Sequence, residues 1–389
     1  MKKAFFIAFS AFLLNVSCKE SVKKEIATGP MELTIAMEDI QPAYAFSKFD
    51  LVPLELNDLS LVGAIDKLIV EKDKLFILDK EVTKSVFCFS TAGKFLFKIN
   101  NIGEGDGKFS KPFDLNLFNE SLQILDIIQK KILVFDLEGN YKHEKPVPFE
   151  EQVVNFFPIN QDFTAYHMDG RSFGSEETDF IRVLGNKDST ISIQGVSDIG
   201  STDAYQVPIE FSQHDGNVRF LHAWTDTIYN ISEKGIEADY ILNFGADRLD
   251  KKVKKLPLMD MRKFIMGNPY VFNAANLVEN EEYLSFQWTR SVAGYANSED
   301  QTYVSYYRKS TEKLDHFPLL ENWVEKVNLQ GPLYGAGEWF FGYLNYEDWN
   351  KLSAESKDDL IIQNSNVNAE YLDAGNPIIV KYRLKEGYK

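Results

Sequence analysis

Cysteine is nearly absent from this sequence, which limits how the chain can be stabilised. Its 389 residues include two cysteines, Cys18 and Cys88. A disulfide framework needs several pairs, so the fold must depend on a hydrophobic core. Cys88 lies in the apolar run SVFCFS, which predicts a small buried side chain and not a nucleophile.

Positive charge and closely spaced histidines are also scarce. Lys and Arg number 42 against 58 Asp and Glu, giving a formal net charge of −16 at pH 7. So acidic a protein repels phosphate backbones, which argues against nucleic acid as a partner. No two histidines have the short spacing of a metal-binding motif, and no cysteine cluster is present. The five histidines are His143, His167, His214, His222 and His316.

Long hydrophobic runs are missing except at the N-terminus, where residues 4–14 are almost wholly apolar and follow Lys2 and Lys3. This run is too short for a permanent membrane helix and has the layout of an export signal. Small or polar residues come before Cys18, so the segment resembles a bacterial lipoprotein signal, in which this cysteine is lipidated. An ordinary secretory signal is the alternative, since Asn15 replaces the usual aliphatic residue.

These features predict a signal peptide over residues 1–17 and a lipidated tether over residues 18–31. The mature protein is then expected in the cell envelope, anchored to the outer membrane by the lipid on Cys18. Whether it faces the periplasm or the cell surface stays open at this point.

A repeat of about 46 residues dominates the rest of the chain. Residues 74–95 and 121–141 both contain an apolar run ending in Asp, a polar turn, an apolar run ending in Phe, and a turn with Gly. A fainter third copy covers residues 226–245 and includes Gly235. Turn-forming residues divide each unit into four short strands, the pattern of a β-propeller blade.

The length allows up to seven such units, and three segments that look like insertions reduce the number to six. We therefore predict an all-β fold, a six-bladed β-propeller of four-stranded antiparallel blades, over residues 32–389 as a single domain. A propeller ring must also close. We expect the N-terminal strand ELTIAM, residues 32–37, to pair with the final strand in residues 377–385 and complete the last blade.

Four stretches carry a likeness to a known family. They are LVGAIDKLIVEKDKLFILD, STAGKFLFKINNIGEGDGKFSKPFDLNL, the TIYNI run followed by YILNFG, and NPIIVKYRLK. In these the chain resembles the six-bladed β-propeller lipoproteins of Bacteroidetes, which are related in architecture to NHL propellers. It departs from them at residues 105–108, Gly-Asp-Gly-Lys, where the family often has Gly-Pro-Gly-Glu. The resemblance implies the fold and an envelope location, and it implies no reaction.

The stretch GEGDGKFSKP, residues 103–112, has the glycines, lysine and serine of a phosphate-binding loop. Its spacing does not fit, because only three residues separate Gly103 from Gly107 and Phe109 follows Lys108. Two carboxylates in the loop would also repel phosphate. We interpret the stretch as a connector between two blades, in which glycines allow the chain to reverse.

No sequence motif identifies a catalytic set. A nucleophile elbow is absent, and no cofactor is expected apart from calcium, which a propeller can bind with ligands from several blades at its central tunnel. Asp66, Asp114 and Asn276 are candidate members of such a site, with turn residues or strand caps as the alternative. A hydrolase or lyase of this type is the alternative function.

Aromatic residues near polar turns give the leading hypothesis, a non-catalytic module that binds a ligand or a partner protein. His222, Trp224, Trp288 and Arg290 could together form a platform for a glycan or a peptide, because such ligands need a flat apolar face and a few hydrogen-bonding groups. Packing between blades is the alternative for each tryptophan. An outer-membrane transport complex is a further candidate partner.

Overall fold

Six β-sheets surround a central axis. The computed structural model describes residues 29–41, 46–168, 181–185, 191–193, 209–223, 225–254, 256, 260, 263–265, 268–291, 301–319, 329–364 and 367–385. Each sheet is one blade, and its first strand lies nearest the axis. The predicted six-bladed propeller of four-stranded antiparallel blades is confirmed.

The first three blades follow the chain in simple order. Two strands come before them, β1 (Met31–Thr34) and β2 (Phe46–Pro53). Blade 1 contains β3 (Lys67–Glu71), β4 (Lys74–Asp79), β5 (Ser85–Ser90) and β6 (Phe95–Ile99). Blade 2 contains β7 (Pro112–Phe118), β8 (Ser121–Asp126), β9 (Lys131–Asp136) and β10 (Tyr141–Pro146). Blade 3 contains β11 (Val153–Pro158), β12 (Phe163–Met168), β13 (Ile181–Gly185) and β14 (Ile191–Ile193).

The last three blades include both N-terminal strands. Blade 4 contains β15 (Phe211–His214), β16 (Asn217–Phe220), β17 (Thr227–Ser232) and β18 (Gly235–Asn243), with β1 added at its outer edge. Blade 5 contains β19 (Val271–Glu279), β20 (Tyr283–Arg290), β21 (Gln301–Arg308) and β22 (Lys313–Pro318). Blade 6 contains β23 (Gln330–Ala336), β24 (Trp339–Leu344) and β25 (Ile378–Leu384), and β2 is its outer strand.

Short helices decorate the ring. They are the 3-10 helices Met37–Asp39 and Gly245–Asp247 and the α-helices Lys251–Lys254, Tyr346–Lys351, Ala354–Gln363 and Ala369–Leu372. Two of them, Tyr346–Lys351 and Ala354–Gln363, cover most of the stretch EDWNKLSAESKDDLIIQ between β24 and β25. In the described part of the chain, no helix combines the length and the apolar character needed to cross a membrane.

The middle strands of the blades have continuous apolar runs, in which apolar and polar residues do not alternate. Five of the six residues of β4 and of β5 are buried, because both faces of each sheet pack against neighbouring blades. The outer strand β10, YKHEKP, is instead partly or fully exposed along its length. Cys88 is fully buried in β5, and burial raises the pKa of its thiol to about 12, as expected for an unreactive core residue.

An N-terminal strand completes the last blade, as predicted, but it is a different segment from the one expected. The prediction that residues 32–37 pair with the final strand is wrong: β2 pairs antiparallel with β25, with Leu51 opposite Val380. The eight-residue β2 offers the longer edge and leads directly into blade 1, next to blade 6. Strand β1 pairs parallel with β18 in blade 4 instead, with Leu33 opposite Leu242.

The N-terminal segment therefore crosses the outer edges of three blades. After β1 on blade 4, Ile40 forms a bridge to His316 in the outer strand of blade 5, and Gln41 donates its backbone N–H to the His316 carbonyl. Strand β2 then completes blade 6. We call residues 31–53 the N-terminal belt; residues 42–45 within it lie outside the described ranges.

The stretch at residues 103–112 is a blade connector, as predicted, since it joins β6 to β7. Gly103, Gly105 and Gly107 all have positive φ angles, of 138°, 102° and 70°. The connector is held by the end of β8: the backbone N–H of Ser110 donates to the Asp126 carboxylate at 2.7 Å. Asp126 is the Asp that ends the apolar run in the second repeat, so the structural role of this repeated residue is to hold the connector.

We expect closure to be sensitive to Gly93, in the turn before β6. Its φ angle is 83°, and a Cβ added there would lie 2.0 Å from the Pro53 carbonyl oxygen of the closing strand. Gly216 is a matched control, because its φ angle is 76° but nothing lies within 4 Å of an added Cβ. Gly216→Ala should cost about 1 kcal/mol of unfolding free energy from backbone strain alone. Gly93→Ala should cost at least about 2 kcal/mol more, since it also displaces backbone.

Urea unfolding of both variants measures the difference. Equal losses of stability would show that the contact between blade 1 and the closing strand does not contribute.

Candidate functional site

A cavity lies on the propeller axis. Its volume is about 230 Å³, and the first strands of all six blades, or residues next to them, line it. The lining mixes apolar and polar side chains. Its polar members include Lys67, Glu71, Asn116, Ser212, Gln213 and Glu279.

Near one end of this cavity, polar side chains of blades 1 and 2 form a closed group. Lys67 donates from Nζ to Asp114 Oδ1 at 2.7 Å and to Asn116 Oδ1 at 3.2 Å. Asn116 donates from Nδ2 to Asp114 Oδ2 and to the backbone oxygen of Phe156 in blade 3. The Lys67 ammonium therefore already balances the charge of Asp114, where the sequence suggested a calcium ligand.

The other two candidate calcium ligands make separate contacts. Asp66 accepts the backbone N–H of Lys80 at 2.8 Å, as a turn residue does. Asn276 donates from Nδ2 to the backbone oxygen of Pro332, linking blades 5 and 6. Asp66 thus matches the alternative interpretation as a turn residue, whereas the buried Asn276, at an irregularity within β19, links two blades, a role that neither interpretation predicted.

At the other end of the cavity, Glu279 is buried between two cations. Arg219 Nη1 lies 2.7 and 2.6 Å from the two carboxylate oxygens, and Lys309 Nζ lies 2.7 Å from one of them. Because a buried carboxylate is costly unless it is paired, these cations compensate for the burial of Glu279, and the Arg219 contact ties blade 4 to blade 5.

A third polar group lies between blades 3 and 4, and we call it the His–Glu–His cluster. It consists of His167 in β12, Glu210 just before β15, and His222 just after β16. The Nδ1 atom of His167 lies 2.7 Å from Glu210 Oε2, and the Nδ1 atom of His222 lies 2.5 Å from Glu210 Oε1. The exposed fractions of the three side chains are 7%, 2% and 4%.

The two imidazoles keep the central carboxyl ionised. Burial alone would raise the pKa of Glu210, but the charges and hydrogen bonds of His167 and His222 outweigh burial and hold that pKa well below its usual range. The possible metal-ligand atoms of His167, Glu210 and His222 all lie within 4.8 Å of one another. Among the described residues, no other group of three His, Cys, Asp or Glu side chains brings its ligand atoms so close together. The His–Glu–His cluster is therefore the candidate metal centre.

Sequence reasoning selected one of these three residues, His222, and for a different role. His167 and Glu210 were missed because the ligands come from different blades, so no spacing motif connects them. A weak signal did exist: His167 interrupts the otherwise mainly apolar strand FTAYHM, where a buried histidine needs a polar partner.

Of the four residues predicted to form an aromatic platform, the structure describes Trp288, His222 and Arg290. Trp288 is fully buried in blade 5, where its ring stacks on Tyr303 at 4.3 Å between centroids and its Nε1 donates to Ser305 Oγ. His222 is buried in the cluster, and Arg290 ends β20 partly exposed. Trp224 and the predicted lipidation residue Cys18 lie outside the described residues. For Trp288, the alternative of packing is what the structure shows.

Trp288 belongs to a buried polar chain that predicts a pH effect. Ser305 Oγ also hydrogen-bonds to His316 Nδ1 at 2.7 Å, and burial lowers the pKa of His316 from 6.5 to about 4, with Asp315 opposing. The unfolded chain binds this proton more readily, so stability is lost as pH falls from about 6.5 towards 4. In His316→Gln, the decrease in unfolding free energy between pH 7 and pH 4.5 should therefore be smaller by about 2–3 kcal/mol.

Urea unfolding at pH 7 and pH 4.5 tests this expectation, with the exposed His143→Gln as control. An unchanged pH dependence in His316→Gln would show that another group is responsible.

Comparisons with known proteins agree with this architecture. A putative exported protein from Bacteroides fragilis is 15% identical, with a TM-score of 0.68 over 92% of this chain and 99% of that one. A member of the DUF4221 family from Bacteroides vulgatus is 8% identical, with a TM-score of 0.52 over 88% and 97% of the two chains. No curated protein matches the sequence significantly. The model of a domain of unknown function, DUF4934, matches residues 34–383, and the chain therefore belongs to the DUF4934 family.

Proposed function

We propose that this protein is an exported, lipid-anchored propeller that binds a small polar ligand in its central cavity without changing it chemically. The observation that carries the proposal is the cavity itself, to which all six blades contribute. A concave site with an apolar wall and a few fixed polar groups is the usual form of a small-molecule site.

The lining indicates the kind of ligand. Lys67, whose ammonium has three donors and uses two of them in the described contacts, offers a donor near one end, while Glu71, Gln213 and Glu279 lie towards the other. Burial, with a smaller effect of the Glu71 carboxylate, raises the pKa of the cavity residue Tyr334 to about 12, so its phenol is protonated and can donate a hydrogen bond.

The size of the cavity narrows the choice further. A volume of about 230 Å³ suits a ligand smaller than a typical drug, such as one sugar ring or a dipeptide. Both classes carry hydrogen-bonding groups around a short carbon frame, which fits a lining of mixed character.

Filling the cavity should abolish binding. Leu117 lines it and is only half-buried, so Leu117→Trp would place an indole in the ligand space. We expect a ligand found by thermal-shift screening of monosaccharides, amino acids and dipeptides to bind this variant at least about tenfold more weakly, because the ring excludes it. Isothermal titration calorimetry gives the affinities.

Ile128→Trp is the matched control, since it adds the same ring at a side chain that is 62% exposed and does not line the cavity. The proposal fails if Leu117→Trp binds as tightly as the unmodified protein, or if no member of the panel binds.

The envelope location is supported by the N-terminal signal-like segment, by Cys18 and by the similarity to a putative exported protein. If the lipid is attached at Cys18, Cys18→Ser should move the protein from the membrane fraction to the soluble fraction of the cell. Retention of Cys18→Ser in the membrane fraction, measured by fractionation and immunoblotting, would contradict the lipid anchor.

A metal-dependent hydrolase or lyase is the second candidate, and the His–Glu–His cluster favours it. Its Glu210 lies between Ile209 and Phe211, which both line the cavity. Conversion of the bound ligand, followed by NMR and lost in Glu210→Gln, would favour this enzyme over the binding module.

A further inference from the structure

The His–Glu–His cluster has the composition of a transition-metal site. We propose that His167, Glu210 and His222 bind one divalent transition-metal ion of the zinc class at the interface of blades 3 and 4. This inference goes beyond the proposed ligand binding and does not depend on it.

The donor atoms are already gathered around one point. Two imidazole nitrogens approach the two oxygens of one carboxylate at 2.7 and 2.5 Å, and the two ring centroids are 5.0 Å apart. Ligands of a tetrahedral zinc ion lie about 2.0–2.2 Å from the metal, hence roughly 3–3.5 Å from one another. Small side-chain movements would therefore admit the ion.

The chemistry of the donors selects the metal. Two imidazoles and one carboxylate form the ligand set that holds zinc in several hydrolases, with a further position left for water. Calcium instead takes about six to eight oxygen ligands, and this cluster supplies only one carboxylate. This cluster is therefore a different site from the calcium site that the sequence suggested at Asp66, Asp114 and Asn276.

The surroundings hold the ligands in place. Asn155 in β11 donates from Nδ2 to Glu210 Oε2 at 2.8 Å, fixing the carboxylate from the side of blade 3. Phe220 packs on both imidazoles, with centroids 5.4 Å from His167 and 6.2 Å from His222. A hydrogen-bonded ligand within an apolar shell is typical of metal centres.

The charge balance also favours a cation. A buried carboxylate is costly unless a positive charge lies beside it. In the described contacts, Glu210 is approached by two imidazoles and an amide, whereas Glu279 is approached by an arginine and a lysine. The charge of an imidazole depends on a bound proton, which a metal ion can replace, so a divalent ion can take over the charge balance of Glu210 and join blades 3 and 4 near the axis.

Metal binding can be tested directly on protein made without a histidine tag. After dialysis against a chelator, Zn²⁺ should bind with a stoichiometry of one in calorimetry and raise the melting temperature. X-ray absorption at the zinc edge should show two imidazole ligands, a result that does not depend on any variant folding. Absence of Zn²⁺ binding, or a bound ion without two imidazoles, would overturn the proposal.

Variants then assign the ligands. His222→Gln and Glu210→Gln should each weaken Zn²⁺ affinity by more than about 100-fold, and Asn155→Ala, which acts through Glu210, by about 10–100-fold. The exposed His143→Gln should leave the affinity unchanged. If His143→Gln weakens binding as much as His222→Gln does, the ion lies elsewhere and the assignment is wrong.

Discussion

Pairing between β2 and β25 is the interaction on which the rest of this structure depends. Each blade buries its faces against two neighbours, so an open ring would leave apolar faces of two blades in water. By adding the outer strand of blade 6 from the beginning of the chain, the protein joins its two ends through backbone hydrogen bonds. Gly93 then lets blade 1 approach that strand closely, so closure and the packing of blades 1 and 6 are coupled.

A closed ring also determines where function can arise. Polar groups near the axis come from different blades, and the closed ring is what brings them together. Two of the three axial groups balance their own carboxylates with lysine or arginine. The His–Glu–His cluster uses imidazoles instead, which explains why it is the group suited to a metal ion, while the central cavity is suited to an organic ligand.

The sequence predicted the fold well because propeller blades are local units. The matched positions Asp79 and Asp126, the glycines before β6 and β10, and Gly235 at the start of β18 recur from blade to blade, where short-range turn chemistry decides the structure. The closing strand was assigned to the wrong segment, because residues 32–37 and 46–53 are both strand-forming and only tertiary packing distinguishes them. The functional sites were predicted less well than the fold, because they too depend on tertiary packing. His167, Glu210 and His222 become neighbours only after the blades pack, and the burial of Trp288 depends on Tyr303 and Ser305 in the adjacent strand.

The N-terminal belt has a mechanical consequence if the lipid is on Cys18. A pull on the tether reaches β1 first, and β1 is a short parallel strand at the outer edge of blade 4. Detaching it exposes Leu33, the one buried residue of β1, and the contacts of Ile40 and Gln41 with His316 in blade 5 come next. The longer β2, which closes the ring, is loaded last. A pulling force between the membrane and the propeller would thus break the edge contacts of β1 and Ile40 first. The pairing of β2 with β25, and with it the closed ring and its axial cavity, would be the last to be affected.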